Sequence, residues 1–306
     1  MDTGTALMPR VIRALSLVVA APALLLAACS ADTPDDGRLR VVATVAPVGA
    51  LAQAVAGDVV RLDVLVKAGV DPHEYEIKAA DARTIANAQV ILRNGLGVDA
   101  FLDKALKNSK ATPVTVTDGL TLRVAPEEDE GKDPHVWHDP RNDIAMVEVI
   151  LRALSAAAPE HAAAFEANAR KYQDRLRAVD LEVKAIIDTI PPANRKMVTD
   201  HDAFGYFTER YGLTVIGTVI PGTSTGAEPS AAEIANLVQA IRREGVRAIF
   251  AESSVDPKVA TRVAEETNIR IVDNLYGDSL GAPGSVAETV EGMLLANARK
   301  IADALR

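Results

Sequence analysis

Histidine and cysteine are the side chains through which a protein most readily holds a metal or does redox chemistry. This chain has five of the first and one of the second. Four segments carry the candidates: Asp71-Pro72-His73-Glu74-Tyr75-Glu76, Asp133-Pro134-His135-Val136-Trp137, Thr199-Asp200-His201-Asp202-Ala203-Phe204-Gly205-Tyr206-Phe207 and Tyr276-Gly277-Asp278-Ser279-Leu280. Three imidazoles and one carboxylate make a complete tetrahedral set for a divalent transition metal. Neutral imidazole suits zinc, copper, iron and nickel, whereas all-oxygen sets suit magnesium, calcium and manganese. A carboxylate in the fourth place lowers the net charge of the site and leaves no open position, which favours holding an ion over activating water. His73, His135, His201 and Asp278 are separated by 62, 66 and 77 residues, so only folding can unite them.

The remaining candidates carry less chemistry. His138 lies three residues beyond His135 and either supports that site, lines its entrance or sits on the surface. His161 falls early in a helical run and reads as solvated. Glu252 follows an apolar run and is either a support for the site or a strand-end residue. With Glu74 it is a candidate general base for the alternative of a zinc hydrolase, which needs an open metal position. No His-Glu-x-x-His helix and no Gly-x-Ser-x-Gly turn accompanies them. A single cysteine, Cys29, excludes an intrachain disulfide and a Cys-x-x-Cys site.

The elements that must position these side chains alternate. Strand patterns cover 39–46, 59–66, 90–93, 196–200, 213–219, 246–251 and 269–275, with further strand signals over 112–124. Helical patterns cover 48–56, 78–88, 100–108, 142–156, 203–211, 230–244, 257–267 and 285–305. Such alternation predicts an α/β fold of parallel sheets covered by helices. Between the two series lies a long helical stripe, 159–190, with apolar Phe165, Ala169, Tyr172, Leu176, Val179, Val183, Ile186 and Ile190. Its 32 residues would make a rod of about 48 Å. Pro159 suits its start and Pro191-Pro192 ends it. The chain thus divides into an N-terminal β/α lobe at 39–157, a linking helix at 158–191 and a C-terminal β/α lobe at 192–306. Ligands of open parallel sheets sit beyond the carboxyl ends of the strands, and the four candidates fall at such turns, two in each lobe.

Residues 1–28 read as a signal peptide, with Arg10 and Arg13 before an apolar run at 14–26. Leu26-Ala27-Ala28-Cys29 resembles the lipobox of bacterial lipoproteins, which implies a lipid on Cys29 and a tether over 29–38. A formal net charge of −9 argues against nucleic-acid binding.

Taken in order, the four segments, with Glu228-Pro229-Ser230, resemble the substrate-binding lipoproteins of zinc/manganese ABC importers, the solute-binding cluster A-I (cluster 9) with a rigid helix between its lobes. The likeness spans roughly residues 38–306. It implies two β/α lobes joined by one long rigid helix, with an interlobe metal held by His73, His135, His201 and Asp278. It also implies delivery to a membrane permease driven by a cytoplasmic ATPase, from an extracytoplasmic monomer anchored to the membrane, with no catalysis. Zinc members often carry a histidine-rich acidic loop near the second ligand. Here 126–133 is acidic, short and free of histidine. Manganese-selective relatives typically have glutamate at the third position, where this chain has His201. The nitrogen-rich set favours Zn2+, with Mn2+ as the alternative cargo. An adhesion or chaperone role remains open beside import. A rigid linker implies release by local motion, around 221–226, or by distortion on the permease.

Overall fold

The computed structural model describes residues 1–4, 36–107, 109–125 and 131–306. Cys29, nearly all of the expected signal peptide and tether, and 126–130 of the acidic loop lie outside the described residues.

The described strands form two sheets of four, each wholly parallel. The first contains β1 (Leu39–Val45), β2 (Val60–Val66), β3 (Val90–Arg93) and β4 (Pro113–Thr115), in the order β2-β1-β3-β4. The second contains β5 (Lys196–Thr199), β6 (Thr214–Thr218), β7 (Ala248–Glu252) and β8 (Arg270–Leu275), in the order β6-β5-β7-β8. Val41 to Val45 form an unbroken buried run because helices cover both faces of a parallel sheet. The edge strand β2 instead leaves Arg61 and Asp63 half-buried. In each sheet the chain turns back on itself beside the first strand, between β1 and β3 and between β5 and β7. These are the switch points at which open α/β sheets form a crevice.

Nine helices cover the described sheets: α1 (Ala46–Ala56), α2 (Ala79–Asn87), α3 (Asp103–Leu106), α4 (Pro140–Ala157), α5 (Ala162–Ile187), α6 (Gly205–Tyr211), α7 (Ala231–Glu244), α8 (Lys258–Thr267) and α9 (Val290–Leu305). Their ends follow local chemistry. Asp139 caps α4 by accepting the Arg141 N–H, and Ser230 and Glu233 form a reciprocal capping box on α7.

The linking helix is shorter than the stripe predicts. Pro159–His161 is a 3-10 turn, and α5 runs for 26 residues, about 39 Å. At its far end the Thr189 hydroxyl bonds to the Ile186 carbonyl, and the last apolar residue, Ile190, lies in the turn beyond. The buried face also differs by one position in two places. Gln173 and Ile187 are buried where the stripe predicts Tyr172 and Ile186. Gln173 is accommodated because its amide donates to the Ile144 carbonyl and to Glu148. Of 112–124, only Pro113–Thr115 pairs as a strand, and Gly119, at φ +86°, turns the chain away soon after. The last helix begins at Val290 rather than 285, where the Thr289 hydroxyl supplies a cap that the preceding residues lack.

Helix α5 packs against α1, α4 and α9. One apolar cluster runs from Val41 in β1 through Leu176 in α5 to Leu305 in α9, so both sheets rest on a shared core. Residues Gly37–Arg306 consequently form one compact unit. Among the described residues no helix is long and apolar enough to cross a membrane.

Candidate metal centre

The four ligand candidates converge on one point. His73 follows β2, His135 precedes α4, His201 follows β5 and Asp278 follows β8. One ligand atom from each lies within 4.8 Å of the others. His73 Nε2 is 3.3 Å from His135 Nε2 and 3.5 Å from Asp278 Oδ2. His135 Nε2 is 3.0 Å from Asp278 Oδ1, and His201 Nε2 is 3.3 Å from Asp278 Oδ2. Atoms bound at roughly 2.1 Å to a shared tetrahedral ion stand about 3.4 Å apart, so the spacing suits such an ion. Both Asp278 oxygens and His201 Nε2 are buried without a hydrogen bond. Buried polar atoms normally find partners, and a cation among the four supplies one.

Three of the four candidates are held from behind. His135 Nδ1 pairs with Asp133 Oδ1 at 2.8 Å, and Asp133 Oδ2 accepts from Arg123 Nη1 at 2.8 Å. His201 Nδ1 lies 2.9 Å from Glu252 Oε1. Glu252 Oε2 also accepts the Asp278 backbone N–H at 3.3 Å, so one carboxylate fixes two ligands. Carboxylates behind a ligating imidazole set its tautomer and raise its basicity. The close approach requires Gly277, since a β-carbon there would lie 1.8 Å from Glu252 Oε2. Glu252 is therefore committed to the ligands and is not placed as a base beside an open metal position.

Charge follows from this packing. Burial opposes a proton on His135, but Asp278 and Asp133 outweigh it and push the imidazole up to about 9. Burial likewise opposes charging His201, yet Asp278 and Glu252 hold it well above its ordinary value. Burial would raise Asp278, but His201 and His135 keep it well below the carboxylate range. Burial and Glu252 push Asp200 up to about 7.

His138 is a correction to the surface reading. It is fully buried against Phe204, and its Nε2–H donates to the Gly277 carbonyl at 2.9 Å. Trp137 Nε1 donates to the same carbonyl at 2.9 Å. The pair thereby pins the turn that carries Asp278. Burial and neighbouring His135 push His138 down to about 4, which keeps it neutral. His161 is half-buried beside Phe165, away from the cluster.

Access is one-sided. The His73 side chain is 8% exposed, whereas those of His135, His201 and Asp278 are fully buried. A cavity of about 290 Å³ adjoins His73, bounded by Tyr75, Phe101, Pro134 and Thr223. Sequence reasoning gave no role to Arg123, Asp133 or Asp71. The Asp-Pro-His spacing is a readable sign for the two aspartates, because each accepts the N–H of the histidine two residues on. Arg123 has no comparable local signal.

The profile of the family described as "Zinc-uptake complex component A periplasmic" matches residues 41–304. The manganese ABC transporter substrate-binding lipoprotein PsaA of Streptococcus pneumoniae is 33% identical over 302 residues, covering 94% of this chain and 97% of that protein. The periplasmic zinc-binding protein TroA of Treponema pallidum superposes with a TM-score of 0.83 at 29% identity, covering 88% of this chain and 99% of that one. A manganese-bound periplasmic metal-binding protein from Candidatus Liberibacter asiaticus superposes at 0.80 with 32% identity, covering 88% of this chain and all of its own, 100%.

Proposed function

We propose, since the chain belongs to the family of periplasmic zinc-uptake component A, that His73, His135, His201 and Asp278 are the ligands for its transported ion. Membership makes the chain a metal-binding, substrate-binding component of an ABC importer, not an enzyme. Such a protein captures a divalent metal outside the cytoplasm and passes it to a permease powered by an ATPase. The observation that carries the ligand assignment is the convergence of four donors from both lobes, with both Asp278 oxygens and His201 Nε2 buried without a hydrogen bond. Anchoring through a lipid on Cys29 and action as a monomer belong to the same proposal.

Zinc is the ion this donor set holds more tightly. Three nitrogens and one oxygen follow the stability order in which zinc exceeds manganese. Manganese is the second reading, supported by two observations. PsaA is named for manganese, and both Asp278 oxygens face the cluster, offering the extra oxygen contact that a harder ion prefers. Because the stability order favours zinc in almost any such site, selectivity in the cell rests on geometry and supply. The test therefore has two parts. Metal content is measured by mass spectrometry after dialysis against equimolar zinc and manganese, beside His201→Ala. Uptake of each ion is then measured in host cells with and without the gene. About one ion per chain, lost in the variant, supports the site. Uptake of zinc or of manganese, whichever depends on the gene, names the cargo. A chain that retains neither ion refutes the assignment.

A further inference from the structure

One side chain crosses from the first half of the molecule to the second beside the metal centre. Arg123, in the segment between β4 and α4, donates through one nitrogen, Nη1, to two carboxylates: Asp133 Oδ2 at 2.8 Å and Asp202 Oδ2 at 3.0 Å. Its Nε donates to Glu209 Oε1 at 3.0 Å near the surface. Asp133 orients His135, and Asp202 is the next residue after His201. The guanidinium thus ties the support of one ligand to the chain neighbour of another.

The passage is built for it. Helix α6 starts at Gly205, where a β-carbon would lie 2.1 Å from Arg123 Nη1 and 2.3 Å from its Cζ. The next residue, Tyr206, accepts the Arg123 backbone N–H at 3.0 Å and donates its hydroxyl hydrogen to the Asp133 carbonyl at 3.2 Å. The other Asp202 oxygen is buried without a hydrogen bond, so that carboxylate leans on Arg123. Lysine presents a point charge on a flexible stem, while the rigid planar head of arginine holds one nitrogen fixed between two acceptors.

We propose that Arg123 is a positioning residue for metal capture, locking the His135 side of the centre to the His201 side and so setting the rate at which the bound ion escapes. The proposal rests on the ligand assignment above. Its physical basis is the narrow tolerance of metal–ligand distances, about 0.2 Å. Without the guanidinium, Asp133 loses a partner and holds His135 less firmly. Asp202 becomes a buried carboxylate with no counter-charge, which tends to move toward water and take the His201 turn with it.

The test uses the purified chain with zinc at pH 7, and reads affinity and the rate of release to a chelator. Cobalt(II) in place of zinc adds the visible spectrum of a tetrahedral site. Arg123→Ala is expected to weaken zinc binding about 10–100-fold, mostly through faster release, and to alter the cobalt spectrum. Asp202→Asn, which leaves Asp133 untouched, is expected to speed release as well. Gly205→Ala should reproduce the arginine variant although Arg123 is present. Arg123→Lys keeps the charge and serves where the alanine variant does not fold; it should fall between wild type and alanine. Glu209→Gln, at the exposed rim, should leave binding unchanged. Loss of zinc in His201→Ala, with wild-type release rates in Arg123→Lys and Gly205→Ala, overturns this proposal and leaves the ligand assignment standing. A wild-type chain that binds no zinc overturns both.

Discussion

Asp71-Pro72-His73 and Asp133-Pro134-His135 share a tripeptide and a local bond. In both, the aspartate Oδ1 accepts the backbone N–H of the histidine two residues on, at 2.8 and 2.9 Å. Beyond that turn they diverge. Asp133 also takes His135 Nδ1, is itself held by Arg123, and sits with its histidine in full burial. Asp71 instead spends its second oxygen on the Thr225 hydroxyl at 2.7 Å, in a loop of the other half of the chain. His73 keeps some exposure and faces a cavity. Identical local chemistry leaves His135 held at its ring by a buried carboxylate and His73 tied through its backbone to an aspartate that a loop of the other half holds. Because one core runs across the linking helix, a movement confined to the His73 corner would disturb less packing than separating the sheets.

The largest effect should come from deleting the two histidines in turn. His135→Ala removes a ligand from the buried floor and should abolish stoichiometric zinc binding. His73→Ala leaves three buried donors and should retain weak zinc that exchanges rapidly. Calorimetry separates the two. Equal residual affinity would erase the distinction between the corners.

Protons provide the next contrast. Asp278 and Asp133 push His135 up to about 9, so it carries a proton at pH 7 in the metal-free chain, and Asp278 and Glu252 hold His201 well above its ordinary value. Zinc must displace the His135 proton, and its affinity should fall by at least about 10-fold for each pH unit lost below neutrality. Titration in buffers of different ionisation enthalpy counts the protons, and fewer than one released at pH 7 would contradict the charge state assigned to this corner. Stability of the metal-free chain has the opposite sign. The folded value for His135, about 9, lies above its unfolded 6.5. Its contribution is therefore complete below pH 6.5 and lost as pH rises through 9. His138, pushed down to about 4, works the other way and loses its contribution as pH falls from 6.5 toward 4. Thermal melts of the metal-free chain should therefore decline on both sides of a maximum near neutrality.

The supporting aspartates differ less sharply. Asp133→Ala frees the His135 ring and should weaken zinc about 10–100-fold. Asp71→Ala removes no contact recorded to a ligand ring, so equilibrium affinity should change less than release. A larger affinity loss from Asp71→Ala than from Asp133→Ala would reverse the assignment of fixed and movable corners.

Much of this was legible in the sequence because it is local. Alternating β and α patterns place seven of the eight described strands within two residues, and three of the four proposed ligands, His73, His201 and Asp278, follow strand ends as expected, whereas His135 lies before α4, 20 residues beyond β4. What was illegible depends on partners distant in the chain. His138 looks like a surface residue until the Gly277 carbonyl, 139 residues later, arrives to meet it. Arg123 carries no local signal, and its role emerges only when Asp202, 79 residues away, accepts from it. The end of α5 departs from the hydrophobic pattern for a different reason. Hydrophobic spacing continues smoothly to Ile190, and it cannot register that the backbone leaves the helix three residues sooner.

The smallest expected effect bears most directly on release. Thr225→Val keeps the shape of the side chain and deletes the hydroxyl that bonds Asp71 across the cleft. A single exposed or half-buried hydrogen bond contributes roughly 0.5–1.5 kcal/mol. If the bond holds the His73 corner shut, its loss should open that corner about 2–10-fold more often, with release to a chelator faster by the same factor. The four ligands are untouched, so the cobalt spectrum of the loaded protein should stay as in wild type. A spectrum that shifts while release stays slow would mean that Thr225 shapes the ligand cage itself, and the motion that frees the ion would have to lie elsewhere than at His73.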